Sequence, residues 1–244
     1  MATLAELTSR LRQASRITVL TGAGVSAASG VPTFRGERGL WRQRRAETLA
    51  TAEAFESDPG MVWEWYDWRR SLIAQAHPNA AHHTLAHWAR INTGVTVITQ
   101  NVDGLHERAG TERLIRLHGS IWRLRCWRDY PGAPASWEDL AVPLSPLPPR
   151  CPSCDGLARP AVVWFGESLD SADLDAAIAA CACDVFLTVG TSAVVHPAAG
   201  LLNHARRRRA FTAEINLEST SASSVVDVSL QGKAEEILGA LMPT

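Results

Sequence analysis

The chain has 244 residues, of which 46% are hydrophobic and 20% are charged, and its formal net charge is −1. This length accommodates one substantial core, or a core with a smaller appended domain, and the composition is typical of a soluble globular protein. The charge is nearly balanced, so no global basic field favours nucleic acid, which we do not expect as a partner. We expect a monomer.

The sequence gives no sign of a membrane or secretory segment. No apolar run reaches the ~18 residues that a membrane-spanning helix needs. Residues 1–16 have an amphipathic pattern and lack the apolar core and small-residue cleavage site of a signal peptide. We therefore expect a cytoplasmic protein without membrane association.

Short β-branched runs alternate with helical patterns along the chain, which predicts an α/β fold with a parallel sheet covered on both faces. The predicted strands are Ile17–Thr21, Val95–Thr99, Leu114–Leu117, Val185–Val189, Phe211–Asn216 and Val225–Leu230. The predicted helices are Ala2–Ala14, Pro59–Ala76, Ala80–Ile91, Ala172–Ala182, Pro197–Arg208 and Lys233–Leu241. Ligands of such sheets bind beyond the carboxyl ends of the strands.

Two segments interrupt this alternation. Residues 34–78 are helical in pattern and rich in arginine and tryptophan, and residues 126–154 combine cysteines with a proline-rich loop. Both are interpreted as insertions that together form a second, smaller domain.

The first predicted strand leads into a glycine-rich turn, Thr21–Ser26. Small residues allow close backbone approach to a pyrophosphate, and a following helix offers free N–H groups. Ala27 stands where the usual G-x-G-x-x-G has its third glycine, so the turn alone fits a dinucleotide site and an ordinary strand-to-helix turn equally well. The Pro/Gly-rich segment that follows contains Phe34 and Arg35, and it is typical of a loop that closes over a phosphate ligand.

The later strand ends carry polar groups. Gln100, Asn101 and Asp103 follow the second strand, and their amide and carboxylate groups suit hydrogen bonding to a ribose and a carboxamide. His118 follows the third strand, where an imidazole with a pKa near neutrality can act as a general base. Small hydroxyl residues follow Val185–Val189. The sequence lacks a G-x-S-x-G elbow and a Walker motif.

Six motifs taken together resemble those of the sirtuin family in their order and approximate spacing, from about Ile17 to Leu238. They are TGAGVSAASGVPTFRG, TQNVDGLHERAG, LHGS, RPAVVWFGE, VGTS and EIN. The resemblance, to a bacterial-type member, implies a Rossmann-like, doubly wound large domain and a smaller helical and zinc-binding domain. The implied large domain comprises residues 1–33, 81–120 and 163–244, and the small domain comprises residues 34–80 and 121–162.

The resemblance also implies an NAD site with four groups of residues. The pyrophosphate group is Gly22, Ala23, Gly24 and Ser26. The cofactor-binding loop contributes Phe34 and Arg35. The nicotinamide and its ribose are lined by Gln100, Asn101 and Asp103. The adenosine half is lined by Gly190, Thr191, Ser192, Asn216 and Ala234.

The implied function is NAD-dependent removal of acyl groups from protein lysines, with release of nicotinamide and O-acyl-ADP-ribose. His118 is the implied base that removes a proton from a ribose hydroxyl, and Asn101 is the second implied catalytic residue. The acylated-lysine protein substrate would add as a strand along a groove between the domains. The implied groove residues are Val163, Trp164, Phe165, Gly166 and Glu167.

Two alternative functions remain open: a mono-ADP-ribosyltransferase, and a non-catalytic NAD-binding or DNA-associated regulator. The four-arginine run Arg206–Arg209 is the feature that a DNA-associated role would use. It falls at the end of a predicted helix, where cations favour the helix dipole, so we interpret it as a solvated helix terminus.

Tyr66 and Arg69 lie three residues apart on a predicted helix and therefore share a face. An arginine fork beside a phenol suits a carboxylate, although a surface arginine beside a core tyrosine has the same spacing. The pair resembles the signature of class III sirtuins, which remove succinyl and malonyl groups, and Ala50 falls where that class keeps a small residue. The resemblance therefore implies a preference for succinyl-lysine or malonyl-lysine, with some deacetylation retained.

The metal site departs from the family pattern of two C-x-x-C pairs. Cys151 and Cys154 form one pair, whereas the other consists of Cys126 and Asp129. Zinc accepts a carboxylate oxygen, so one bound zinc ion with all four residues as ligands is expected. A weak three-cysteine site and a metal-free small domain with three free thiols remain alternatives.

Overall fold

The structure is a computed structural model that describes residues 3–33, 40–41 and 44–241. Phe34 and Arg35, which the sequence assigned to a cofactor-binding loop, lie outside the described residues. None of the helices in these ranges is long and apolar enough to cross a membrane.

The elements of the described chain alternate as predicted, with additional short strands. The strands are β1 (Ile17–Thr21), β2 (Leu40–Trp41), β3 (Arg44–Arg45), β4 (Val95–Thr99), β5 (Leu114–Arg116), β6 (Gly119–Cys126), β7 (Trp137–Glu138), β8 (Ala158–Val162), β9 (Val185–Val189), β10 (Phe211–Asn216) and β11 (Val228–Gln231). The helices are α1 (Leu4–Gln13), α2 (Ala46–Leu49), α3 (Ala52–Ser57), α4 (Pro59–Gln75), α5 (Ala80–Ile91), α6 (Leu105–Arg108), α7 (Ser171–Ala180), α8 (Leu201–Arg207) and α9 (Ala234–Ala240). Among the described residues, 3-10 helices span Ala23–Ser29 and Ala198–Gly200.

A six-stranded parallel sheet with the strand order β11-β10-β9-β1-β4-β5 confirms the predicted α/β architecture. β1 lies between β4 and β9, so Ile17 is in register with Val95 on one side and Val185 on the other. Every residue of β1 and β9 is buried, as expected for strands that helices cover on both faces. The chain adds strands first on one side of β1 and then on the other.

Helices pack on both faces of this sheet. On one face, Leu7 of α1, Leu85 of α5 and Leu238 of α9 belong to one buried cluster with the core of the sheet. On the other face, Ala177 of α7 and Leu202 of α8 belong to a second cluster. Because helices cover both faces of the sheet, the strand residues are mostly apolar and buried. The polar residues lie beyond the carboxyl ends of the strands, at the edge of the sheet.

A third buried cluster combines the helical segment 46–76 with residues of a three-stranded antiparallel sheet, ordered β7-β6-β8. The helical part was predicted, and α4 begins at Pro59 after Asp58, whose carboxylate accepts a hydrogen bond from the Met61 N–H. The antiparallel sheet was not predicted. The division into two domains stays a prediction.

Two predicted elements differ from the structure. The strand expected over Val225–Leu230 begins only at Val228, because the preceding residues form turns. The helix expected over Pro197–Arg208 divides into the 3-10 turn at Ala198–Gly200 and α8.

Arg70 joins α4 to the antiparallel sheet. Its side chain is fully buried and donates to the carbonyls of Ile121 (3.3 Å), Asp139 (2.6 Å) and Ala141 (3.0 Å), and it also pairs with the Asp139 carboxylate at 2.7 Å. Burial lowers the pKa of Arg70, while Asp139 opposes that effect. A buried cation with this many acceptors fixes α4 against β6.

We expect Arg70→Met to destabilise the fold by about 3–5 kcal/mol, because it leaves a carboxylate and several carbonyls without their donor. Urea denaturation followed by circular dichroism measures the change. The matched control is Arg90→Met on the exposed side of α5, for which a change within about 0.5 kcal/mol is expected. Equal stabilities of the two variants would contradict the assigned role of Arg70.

Candidate active site

A cavity of about 950 Å³ lies at the carboxyl end of the parallel sheet. Residues that directly follow β1, β4, β9 and β10 line it, together with residues of α2 and α4 and the segment 162–167. The strands of a parallel sheet all end at the same edge, which is why positions far apart in the sequence meet here.

Most of the residues singled out in the sequence line this cavity. They are Gly22, Ala23, Gly24, Ala50, Tyr66, Arg69, Gln100, Asn101, His118, Val163, Trp164, Phe165, Gly166, Glu167, Gly190, Thr191, Ser192 and Asn216. Ser26 and Asp103 are instead buried behind the wall. Ala234 is the first residue of α9, and its side chain is buried in the core.

The turns after β1 and β9 are in direct backbone contact. The Gly24 N–H donates to the Gly190 carbonyl at 2.8 Å. Gly190 has φ +60°, and a Cβ there would lie 2.4 Å from the Val25 nitrogen. A Cβ at Gly24 would in turn lie 2.8 Å from the Gly190 Cα. The glycines are therefore required for the two turns to pack together, and Gly22, Gly24 and Gly190 line the cavity without side chains.

A buried polar network supports Asn101. The Asn101 amide donates to the Gly22 carbonyl at 3.1 Å and to the Ser26 hydroxyl at 3.2 Å. The Ser26 hydroxyl donates to the Asp103 carboxylate at 2.7 Å. Burial raises the pKa of Asp103, although the Leu105 N–H and the Ser26 hydroxyl oppose this. Ser26 and Asp103 thus hold the Asn101 amide at the cavity wall.

The hydrogen bond of His118 defines which ring nitrogen carries the hydrogen. Its Nδ1 lies 2.9 Å from the Gln100 carbonyl oxygen, which only accepts hydrogen bonds, so Nδ1 carries the hydrogen. Nε2 therefore keeps its lone pair. Burial lowers the pKa of His118, while the Gln100 carbonyl raises it. A half-buried, neutral imidazole with Nε2 unprotonated has the properties of a general base.

Hydrogen bonds join the β9 exit to the exit of its neighbour β10 on one side and, across β1, to the exit of β4 on the other. The Gln100 amide donates to the Thr191 hydroxyl at 2.9 Å, and the Asn216 amide donates to the Thr191 carbonyl at 2.7 Å. These bonds make one continuous wall from the β4 exit to the β10 exit.

The segment 217–221 also lines the cavity. Leu217 and Glu218, which end the EIN segment, were expected to flank a nucleotide, whereas Ser219, Thr220 and Ser221 were not predicted. The buried Glu214 carboxylate of β10 holds this segment by accepting from the hydroxyls of Thr220 and Ser223, and from Ser229 at 3.2 Å. Residues 194–196 are a second unpredicted part of the lining. Both segments follow the carboxyl end of a strand, β10 and β9, and this position in the sequence could have predicted that they line the site.

At the other end of the cavity, Tyr66 and Arg69 are 3% and 5% exposed. The Trp164 indole N–H donates to the Tyr66 hydroxyl at 2.8 Å. Burial raises the pKa of Tyr66 and lowers the pKa of Arg69, and Tyr66 and Asp103 oppose the effect on Arg69. Tyr66 is therefore a neutral phenol, and an arginine keeps its charge at any physiological pH.

The segment 163–167 lines the cavity together with Tyr66 and Arg69. The Phe165 N–H donates to the Ala50 carbonyl at 2.9 Å, and the Phe165 side chain is 43% exposed. Glu167 accepts from the Trp164 N–H at 2.8 Å and pairs with Arg159 at 2.5 Å. These contacts fix the segment and leave an exposed aromatic side chain at its rim.

Three thiols form a cluster outside the cavity. The Sγ atoms of Cys126, Cys151 and Cys154 all lie within 4.8 Å of one another, and those of Cys126 and Cys154 are 3.6 Å apart. The backbone N–H groups of Tyr130 and Arg128 lower the pKa of Cys126. Sulfur ligands with this proximity fit a zinc ion.

The expected fourth ligand, Asp129, is not part of this thiol cluster. Its carboxylate pairs with Arg125 at 2.6 Å, and its side chain is 72% exposed. Three of the four predicted ligands therefore lie together, whereas Asp129 lies apart from them, and the complete ligand set stays a prediction.

Comparison with known proteins supports the geometry. Residues 22–197 match the model of the Sir2 family. NAD-dependent protein deacylase 2 of Pyrobaculum aerophilum is 48% identical over 225 residues, which cover 92% of this chain and 88% of that protein.

Two solved structures are similar along nearly the whole chain. The crystal structure of a Sir2 homologue–NAD complex has a TM-score of 0.91 and 44% identity, covering 97% of this chain and 91% of that chain. A Sir2–p53 peptide–NAD⁺ structure has a TM-score of 0.84 and 28% identity, covering 98% and 97%. With the family model matched over most of its length and this level of identity to a curated relative, the chain belongs to the Sir2 family, the sirtuins.

Proposed function

We propose that this protein is an NAD-dependent protein-lysine deacylase that prefers acidic acyl groups such as succinyl and malonyl over acetyl. The observation that carries the proposal is one continuous cavity, which joins the glycine turns after β1 and β9, the His118 imidazole, and the buried Arg69 cation. The deacylase names of the relatives and the NAD complex of a similar structure support the NAD-dependent part.

The residues of the chain fit an NAD molecule laid across the strand ends. When bound, NAD supplies an anomeric carbon from which nicotinamide leaves and to which the acyl oxygen adds, so that the acyl group ends on ADP-ribose. Gly22 and Gly24, which line the cavity without side chains, would hold the pyrophosphate. The Asn101 amide, held by Ser26, orients polar groups of the nicotinamide ribose. Asn216 and the segment 217–221 enclose the adenosine half.

His118 accepts the proton that the reaction must remove. His118 lines the cavity, and its Nε2 keeps the lone pair because Nδ1–H is bound by the Gln100 carbonyl. A ribose hydroxyl of bound NAD would be the proton donor. Removal of this proton makes the hydroxyl oxygen nucleophilic toward the transferred acyl group. The developing positive charge of the ring is accommodated by the same Gln100 carbonyl.

The acyl end of the cavity supports the choice of acyl group. The Arg69 guanidinium and the Tyr66 hydroxyl lie at the buried end, where a carboxylate would form a charge-assisted pair away from water. An ADP-ribosyltransferase would have no use for such a receptor, which favours deacylation over that alternative.

We also propose that the three cysteines bind one zinc ion with a structural role. None of the three lines the cavity, so the metal would stabilise the antiparallel sheet and its connecting loop rather than act on substrate. Thiolate ligands and a site away from the reacting groups are typical of structural zinc.

We expect His118→Ala to retain NAD binding and to lower deacylation by roughly two to four orders of magnitude, the usual contribution of a general base. Mass spectrometry of peptide products and calorimetric titration with NAD measure the two properties. His83→Ala, an exposed histidine of α5, is the matched control. Near-normal turnover by the His118 variant would contradict the assignment.

The pH dependence of the reaction gives a further check on His118. The base acts in its neutral form, and burial lowers the pKa of His118, so activity should persist below the ordinary histidine value of about 6.5 and fall only as the pH drops through the lowered pKa. A rate that already falls above that value would contradict the model.

We expect Arg69→Met to reduce desuccinylation by about 10- to 100-fold more than deacetylation, because a charge-assisted hydrogen bond contributes about 1.5–3 kcal/mol. The measurement is kcat/KM with peptides of one sequence that carry either acyl group. The control is again Arg90→Met. Equal losses for both substrates would show that Arg69 does not read the acyl carboxylate.

Protein purified without chelator should contain about one zinc ion per chain by elemental analysis, as three convergent thiolates predict. Cys151→Ser should lose most of this zinc and lower the melting temperature, because metal binding and folding are linked. Asp129→Ala should keep it. A stable wild-type protein without zinc, or zinc loss in Asp129→Ala, would overturn the three-cysteine site.

A further inference from the structure

The hydrogen bond between Trp164 and Tyr66 fixes how the phenol can act. The indole N–H is a donor only, so the Tyr66 oxygen is the acceptor across the 2.8 Å contact. Both side chains are buried, at 2% and 3% exposure. The indole nitrogen therefore stays the donor and the phenol oxygen stays the acceptor of this bond.

The phenol hydrogen is left for another acceptor. Within the described part of the chain, the structure gives Tyr66 no acceptor for its O–H, and Tyr66 lines the cavity. The Arg69 cation, which lies near enough to influence the Tyr66 hydroxyl electrostatically, is itself a donor and cannot accept that hydrogen. The hydroxyl therefore presents a donor to whatever enters the buried end of the cavity.

Trp164 is held firmly enough to act as a fixed donor. The Arg159 guanidinium carbon lies 3.4 Å from the centroid of the indole ring, and Arg159 also pairs with Glu167. Glu167 in turn accepts from the Trp164 backbone N–H. The Phe55 ring packs against the indole with centroids 5.3 Å apart. Glu167 therefore holds the Trp164 backbone, Arg159 covers the face of the indole ring, and Tyr66 accepts from the N–H at its edge.

We propose that Trp164 is a specificity-determining positioning residue, which forces the Tyr66 hydroxyl to donate to the carboxylate of an acidic acyl chain beside Arg69. This inference rests on the proposed function and deepens it. An acetyl group ends in a methyl group and offers no acceptor at this depth, so the indole N–H favours acidic acyl chains selectively.

The test compares kcat/KM for succinyl and acetyl peptides of one sequence in Trp164→Phe, Tyr66→Phe and the double variant. We expect Trp164→Phe to lower the succinyl-to-acetyl ratio by about three- to tenfold, since it removes one hydrogen bond that orients a second. Tyr66→Phe should lower the ratio at least as far. The Trp164 substitution should have no further effect on the ratio in the Tyr66→Phe background, because its effect passes through the hydroxyl.

Trp127→Phe is the matched control. The Trp127 ring packs against Trp164 with centroids 6.0 Å apart, so this variant disturbs the same aromatic cluster without touching the bond to Tyr66. Its succinyl-to-acetyl ratio should equal that of the wild type. Where Trp164→Phe does not fold, site-specific replacement of Trp164 by benzothienylalanine keeps the ring shape and removes only the N–H.

The possible results distinguish a failure of the role of Trp164 from a failure of the proposed acyl preference. An unchanged ratio in the Trp164 variant, or additive effects in the double variant, would overturn this inference while a succinyl-preferring wild type keeps the proposed function intact. A wild type without any activity on acidic acyl groups would overturn both. A ratio that falls equally in Trp127→Phe would show a packing effect and would also overturn the inference.

Discussion

The backbone contact between the turns after β1 and β9 is the constraint on which the site depends. Gly24 and Gly190 meet at a distance that no side chain could occupy. This contact closes the floor of the cavity where the chain switches from one side of β1 to the other. The polar wall of Gln100, Thr191 and Asn216 extends from the same point, because each of these residues follows a strand that is in register with its neighbour.

Below this floor lies a set of buried polar groups that are kept uncharged or paired. Burial lowers the pKa of His82 to about 4 and that of His106 to about 3. The Thr21 hydroxyl contacts both Thr99 and the His106 ring, at 2.9 Å and 3.0 Å. Both histidines are therefore neutral and add no positive charge to the buried layer that holds Asn101 and Asp103. The His106 Nδ1 has no hydrogen-bond partner among the described residues.

The parallel sheet could be predicted from the sequence, because short β-branched runs such as Ile17–Thr21 and Val185–Val189 are typical of strands that are buried on both faces. It was insufficient for β6, whose residues alternate between tryptophan, arginine and aliphatic side chains and whose pairing with β8 joins residues far apart in the chain. The positions of the site residues followed from the strand ends. The sequence pattern does not show which of the polar residues line the cavity. Ser26 and Asp103 lie behind Asn101 rather than in the cavity wall, and Asp129 pairs with Arg125 rather than with the thiol cluster.

The two adjacent arginines of α4 lie in different surroundings, and this difference limits how far the helix can move. Arg70 is bound by several acceptors of the antiparallel sheet, whereas Arg69, one residue earlier on the helix, faces the cavity. Any rotation of α4 that moved Tyr66 or Arg69 would break the contacts of Arg70. The positions of Tyr66 and Arg69 in the cavity are therefore set by an anchor outside it, so a change in the chemistry of this part of the cavity has to arise by replacing side chains on a helix that stays in place.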